Sequence, residues 1–202
     1  MRLMLLLCLF YAASMQAFGE VEKRWDFKVL LNGREVGSHS FVVSEEGGRR
    51  SVASSMSLDF RVLLVKHVSY QHKANEVWLD GCLTEVSSQT ERSGKSSWVR
   101  AALVDTELSV TTKAGIEVFP GCVRSFAYWD PEWLRGENLL NVETGKNLAV
   151  NISRSQSTTD NITHITIATP TADIHLQYDA AGDWLSLQTK LPIAGELSYQ
   201  RY

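Results

Sequence analysis

Apolar residues recur at every second position through most of this sequence, and short turn motifs interrupt the runs. Trp25, Phe27, Val29 and Leu31 set the pattern, which returns between residues 68 and 78. A two-residue period places alternate side chains on opposite faces of a strand. Many short runs of this kind, separated by turn residues, are typical of antiparallel β structure. The sequence therefore predicts an all-β fold.

Two glycine-containing motifs give local detail. Asn32-Gly33 separates the first run from residues 36–43, and Asn-Gly between β-prone runs predicts a tight hairpin. Gly37 lies inside the returning strand, which predicts a β-bulge or a close backbone approach.

Residues 130–136 break the β pattern: Asp130 can cap a helical turn, Pro131 suits its first position and Gly136 its end. One short helical turn is predicted there.

The predicted strands, about ten in number, form a sheet whose edges and apolar face need cover. The chain offers almost no helix to supply that cover. We therefore expect a single antiparallel sheet that curls into a barrel or an open half-barrel. The interior of such a sheet is either filled by side chains or holds an apolar ligand.

The first nineteen residues have the layout of a secretory signal peptide. Arg2 precedes an apolar run from Leu3 to Phe10, and small residues at Ala17 and Gly19 suit cleavage before Glu20. We expect residues 1–19 to be removed and residues 20–202 to form a single β domain. No later run is long and apolar enough for a membrane helix, so no transmembrane span is expected after cleavage.

Composition and motifs exclude several classes of function. The formal net charge is −3 and the basic residues are scattered, so no nucleic-acid partner is predicted. Glycine-rich phosphate loops and the nucleophile-elbow motif are absent. The histidines show no metal-ligand spacing. We accordingly predict neither a metal nor any other cofactor.

Two cysteines, Cys82 and Cys122, remain after removal of the leader, which takes Cys8 with it. An even number of cysteines in an oxidising compartment favours a disulfide between them. The alternative is a reactive or metal-binding pair, although no Cys-x-x-Cys spacing is present.

Aromatic residues supply the candidate ligand contacts. The chain has six tryptophans, which either line a pocket or fill the core of a curved sheet. Trp129 and Trp133 flank Pro131 in the irregular segment, so together with Leu134 they are candidates for a lid over a barrel opening. Trp78 is a further candidate contact.

A polar group is predicted on one strand. Tyr70, His72 and Glu76 fall at even spacing, so they should share one face. His72 and Glu76 are the candidate acid–base pair, with Tyr70 as a further polar contact. The alternative is a buried polar cluster that orients Trp78, because no nucleophile motif accompanies the pair.

Several blocks of the chain resemble a family of exported bacterial domains of unknown function. The most specific runs from Cys122 to Pro131 with the core Ser125-Phe126-Ala127-Tyr128-Trp129, and it continues through Leu139-Leu140-Asn141 and Thr144-Gly145. The resemblance covers nearly the whole mature chain. It implies an envelope β protein, supports Cys82 and Cys122 as a pair, and implies no activity. The strand pattern is also similar to that of periplasmic half-barrels that hold acyl chains, which is an analogy of fold alone.

Three functions are compatible with these features. The first is an exported protein, periplasmic by the family resemblance and secreted where the host lacks an outer membrane, that binds a lipid or another apolar small molecule. The second is an enzyme that acts on a lipid-type substrate through His72 and Glu76. The third is a non-catalytic module in which residues 129–140 bind an envelope protein partner.

Overall fold

The computed structural model describes residues 21–62, 66–157 and 159–202, and the predicted signal peptide at residues 1–19 lies outside this part of the chain. The strands are β1 (Val21–Leu31), β2 (Arg34–Glu46), β3 (Arg49–Val62), β4 (Lys66–Leu79), β5 (Cys82–Arg92), β6 (Lys95–Val104), β7 (Glu107–Thr112), β8 (Gly115–Pro120), β9 (Asn138–Asn141), β10 (Lys146–Ala149), β11 (Asn151–Gln156), β12 (Thr163–Ala168), β13 (Asp173–Tyr178), β14 (Trp184–Leu191) and β15 (Gly195–Arg201).

Thirteen of these strands form one antiparallel sheet, and β9 pairs with β10 in a separate hairpin. The order across the sheet is β11-β12-β13-β14-β15-β1-β2-β3-β4-β5-β6-β7-β8. Adjacent strands in this sheet are therefore consecutive in the sequence, with the single exception of the pair β15 and β1. The prediction of a single curled antiparallel sheet is confirmed, and the sheet is open because β8 and β11 are not paired with each other.

The first hairpin has the predicted turn. Asn32 and Gly33 both adopt positive φ angles, 51° and 76°, as a tight hairpin turn with matching twist requires. The register between β1 and β2 shifts at Val29, opposite Gly37, which confirms the predicted bulge. A Cβ atom on Gly37 would lie 1.9 Å from the carbonyl oxygen of Ser57, so only glycine fits at this position.

Alternation along the strands creates the core. Trp25, Phe27, Val29 and Leu31 are all buried, and they lie on the concave face of the sheet. The same face receives the buried residues of the other long strands, such as Phe41. The convex face is largely polar and exposed. The two-residue period therefore produces a single sheet with one solvent-exposed face and one buried face.

An inner segment, defined as residues 121–145, lies on the concave face. Backbone bonds connect Leu83 N to Val123 O and Leu140 N to Arg124 O, so the segment enters beside β5 and then pairs with itself. It supplies the buried side chains that the single sheet lacks, among them Leu134, Leu139 and Leu140, each 0% exposed. The second layer of this fold is thus irregular chain rather than helix.

The segment at residues 130–136 forms one hydrogen-bonded turn and does not continue into a helix. Asp130 caps this turn as predicted, because its Oδ1 accepts hydrogen bonds from the backbone N–H groups of Glu132 and Trp133. Two short strands, β10 and β11, follow the inner segment. They are separated at Val150, whose N–H donates to the carbonyl of Glu137 instead of to a strand neighbour.

A disulfide joins Cys82 and Cys122, as predicted. It connects the start of β5 to the start of the inner segment and thereby attaches that segment to the sheet. Over the three described ranges, no helix has the length and apolar character needed to cross a bilayer.

Candidate functional site

Strand β4 carries four of the predicted site residues on one face. Tyr70, His72, Glu76 and Trp78 are buried on the concave side, whereas their immediate neighbours, such as Lys73, are exposed. The even spacing in the sequence had predicted this shared face. Because a strand advances about 3.3 Å per residue, however, Tyr70 and Trp78 are separated by roughly 26 Å. The predicted ligand contacts therefore fall into two groups at opposite ends of β4.

The Trp78 end is an aromatic cluster. The ring of Trp78 lies 5.7 Å from that of Trp129 and 5.4 Å from that of Trp133. The Arg50 guanidinium lies 4.3 Å from the centre of the Trp133 ring and forms an ion pair with Asp130. Trp78 and Trp129 are buried and Trp133 is half-buried, so these side chains pack the inner segment onto the sheet.

Leu134, the remaining member of the predicted lid, is fully buried beside this cluster. The Arg154 side chain, which comes from β11, donates hydrogen bonds to the carbonyls of Pro131 and Leu134. The turn that carries the lid candidates is thus held by the Trp78 cluster, by the Arg50–Asp130 ion pair and by Arg154. The structure places these residues in a packed layer rather than across an opening.

Glu76 lies between the two ends and is bonded to the inner segment. The hydroxyl of Ser125 donates to Glu76 Oε2 across 2.6 Å. Burial raises the pKa of the Glu76 carboxyl to about 7, and the hydrogen bond from Ser125 opposes that rise. The contact joins the sheet to the inner segment through a titratable group.

His72 does not contact Glu76. Its Nδ1 is 2.8 Å from the hydroxyl oxygen of Thr90, which lies directly opposite on β5. Four residues of strand separate His72 from Glu76, or about 13 Å, which is too far for direct proton transfer. Burial lowers the pKa of His72, and the nearby Glu143 carboxylate opposes this effect. The predicted acid–base pair consists of two separate polar contacts in the structure.

At the far end of β4, Tyr70 takes part in a charged cluster. Its hydroxyl donates to Glu143 Oε2 at 3.1 Å, and the Arg92 guanidinium donates to Glu143 Oε1 at 2.8 Å. Burial, reinforced by the Glu143 carboxylate, raises the pKa of the Tyr70 hydroxyl. Arg92 also lies over the Tyr70 ring, 5.1 Å from its centre. This end of the concave face thus combines a tyrosine with a partly exposed cation.

His39 is a concave-face residue that sequence reasoning did not select. Its Nδ1 is 2.8 Å from the Tyr199 hydroxyl, and its Nε2 is buried without a hydrogen-bond partner. Burial lowers the pKa of His39 to about 3, with a smaller contribution from His72, so the ring is neutral. The alternation of β2 places His39 on the same face as Phe41 and Val43, and that pattern was the available signal.

Surface cavities of about 320 Å³ and about 80 Å³ border the inner segment, the first lined in part by Leu134 and the second by Trp129 and Arg50. Two more lie over the second half of the sheet. One of about 290 Å³ lies over β12–β15 and includes His164 and His175 in its lining. Another, of about 630 Å³, lies at the end of β13–β15 beside Ile193. Among the residues that the structure describes, no three His, Cys, Asp or Glu side chains are grouped to hold a metal ion.

Fold and site together define a class of protein: an open, barrel-like antiparallel sheet whose concave face is covered by the inner segment, which a disulfide attaches to the sheet. The chain belongs to a family described as a domain of unknown function (DUF6134), whose model matches residues 27–201.

A solved structure from Brucella abortus, titled as a beta-barrel-like protein of domain of unknown function DUF1849, is similar in fold, with a TM-score of 0.61 and 10% sequence identity. The similarity covers 89% of this chain and 94% of that one. At this identity the likeness concerns the fold alone. No curated protein matches the sequence.

Proposed function

We propose that this chain is an exported envelope protein that binds a lipid-type or other apolar ligand on its concave face, at the end that carries Tyr70 and His72. The observation behind the proposal is the incomplete burial of core side chains at that end. Met56 and Phe60 point to the concave face beside Leu58, yet both remain half-buried, as does Val36 on β2. A hydrocarbon chain laid along them would remove that apolar area from water, at about 25 cal/mol per Å².

The polar groups at this end suit the head of such a ligand. Arg92 is 60% exposed although it is paired with Glu143, so its guanidinium remains available to a carboxylate or phosphate. Tyr70 and His72 are adjacent on the same face, with ring centres 6.4 Å apart. An apolar floor with a few polar groups at one end is the usual composition of a small-molecule site.

The disulfide supports export, because such bonds persist mainly in oxidising compartments. The predicted signal peptide at residues 1–19 supports it independently, and the family resemblance supports the periplasm as the location. In this proposal Trp129, Trp133 and Leu134 hold the inner segment in place, and the ligand contacts are Tyr70, His72 and Phe60. No contact in the described chain favours catalysis by His72 and Glu76.

The test has two stages. Mature protein purified gently from its own envelope fraction is measured by native mass spectrometry and then extracted with organic solvent. We expect an additional mass of lipid size that the solvent releases. The delipidated protein is next titrated with a dansyl-labelled undecanoic acid, a fluorescent fatty acid.

Phe60→Asp should weaken binding of this probe at least tenfold, because a charge replaces apolar contact area on the concave face. Ile116→Asp is the matched control, since Ile116 is 67% exposed on strand β8. Circular dichroism verifies that both variants fold. A protein that carries no lipid and does not bind the probe, or equal affinities in both variants, would overturn the proposal.

A further inference from the structure

Three side chains lie in one transverse row across the concave face. His39 on β2 is the direct partner of Met56 on β3, and Met56 is the direct partner of His72 on β4. Directly paired residues of antiparallel strands project from the same face. Adjacent strands lie about 4.8 Å apart, so the two histidine backbones are separated by roughly 10 Å with the methionine between them.

Hydrogen bonds orient both imidazole rings. His39 Nδ1 is bonded to Tyr199, which comes from β15 on one side of the row, and His72 Nδ1 is bonded to Thr90, which comes from β5 on the other side. Each Nδ1 edge is therefore turned away from β3. Because Nε2 lies on the opposite edge of the ring, the two Nε2 atoms are turned toward the strand that carries Met56.

The Nε2 atom of His39 is buried and has no hydrogen-bond partner. An unsatisfied polar atom in a protein interior costs about 1–3 kcal/mol, and such an atom in a native structure needs an explanation. A bound ion that accepts the nitrogen lone pair would supply one. A hydroxyl group is bonded to the other nitrogen of each ring and orients it, as an outer hydrogen bond does for histidines that bind metals.

The donor set selects the ion. Thioether sulfur is a soft ligand that favours Cu(I), and neutral imidazole binds copper well. The row contains no carboxylate, so hard cations such as Mg²⁺ and Ca²⁺ find no suitable ligand in it.

We propose that His39, Met56 and His72 form a Cu(I)-binding site, with the two Nε2 atoms and the thioether sulfur as ligands. This inference goes beyond lipid binding and does not depend on it. Met56 is the single methionine after residue 15, so the chain beyond the predicted leader has no second thioether that could substitute for it.

The test uses delipidated, disulfide-bonded mature protein under anaerobic conditions. Cu(I) is supplied as its bicinchoninate complex, and the absorbance lost from that chelator reports transfer to the protein. We expect one Cu(I) per chain, and X-ray absorption should show sulfur as well as nitrogen scattering around the metal.

Met56→Leu is the decisive variant, because the two side chains have similar volume and the fold should persist. It should lower the Cu(I) affinity at least tenfold and remove the sulfur scattering. Thr90→Val should weaken binding about tenfold or more by releasing the His72 ring. His175→Gln, on an exposed histidine of β13, is the control and should bind as the unaltered protein does.

Two results would overturn the site. One is failure of the unaltered protein to take Cu(I) from the chelator. The other is a Met56→Leu protein that folds normally and binds Cu(I) with unchanged affinity. Because the lipid probe is absent from this assay, its outcome is independent of the lipid-binding proposal.

Discussion

Replacement of Glu76 by glutamine should change how the stability of the fold depends on pH. Glu76 is buried beneath the inner segment, and its pKa is raised from 4.5 to about 7. Between these values the folded protein holds a proton that the unfolded chain has released. Its contribution to stability is therefore fully present below about pH 4.5 and is lost as pH rises through 7.

The size of the effect follows from the shift. One pKa unit corresponds to about 1.4 kcal/mol, so the shift at Glu76 amounts to roughly 3 kcal/mol between pH 4.5 and 8. Glutamine cannot ionise, yet its carbonyl can still accept the hydrogen bond from Ser125. We expect the free energy of unfolding of the unaltered protein, measured relative to that of Glu76→Gln, to fall by roughly 3 kcal/mol across this range.

Urea denaturation followed by tryptophan fluorescence measures this difference at pH 4.5 and pH 8, with the disulfide intact. The buried histidines, whose lowered pKa values act in the opposite direction, are present in both proteins and cancel in the comparison. Glu117→Gln, on the exposed strand β8, is the matched control for loss of a carboxyl group. A difference between the Glu76→Gln and unaltered proteins that is the same at both pH values would refute the reasoning.

Three further perturbations test the architecture. Joint replacement of Cys82 and Cys122 by alanine should cost about 4 kcal/mol, as expected for a cross-link spanning 40 residues, and an unchanged urea midpoint would contradict this. Gly37→Ala should cost about 3 kcal/mol or prevent folding, because its Cβ would overlap the Ser57 carbonyl. A melting temperature equal to that of the unaltered protein would show that the backbone near Gly37 can shift to accommodate the added methyl group. Tyr178→Phe removes the 2.8 Å hydrogen bond to the Tyr128 carbonyl and should cost about 1–3 kcal/mol. Hydrogen exchange in the inner segment should rise, and unchanged protection would argue that this bond does not hold the segment.

The strands could be predicted from the sequence because their determinants are local. The alternation in β1, the Asn32-Gly33 turn and the bulge at Gly37 each depend on a few neighbouring residues and on steric rules. The pairing of Cys82 with Cys122 could be predicted because only two cysteines follow the predicted leader. These features needed no knowledge of which strands meet.

The inner segment could not be predicted, because irregular chain has no period that reveals where it packs. Trp129 and Trp133 were predicted as part of a lid over a barrel opening for this reason, and in the structure both pack against Trp78. The polar contacts were also inaccessible to sequence reasoning. Ser125 donates to Glu76 from 49 residues away, and such a pairing depends on how the sheet curls.

The junction of β15 with β1 has a consequence for the order of assembly. The backbone N–H of Glu196 bonds to the side chain of Asn32 from 164 residues away, and β15 is one of the two partners of β1. All other neighbours in the large sheet are consecutive hairpin strands, which can form as soon as the chain is made. The two halves of the sheet, β1–β8 and β11–β15, can therefore form their hairpins separately, but they cannot pair with each other until β15 has been synthesised. Until then the backbone N–H and C=O groups on one edge of β1 have no strand partner. A chaperone that binds the nascent chain would therefore be expected to bind this edge first.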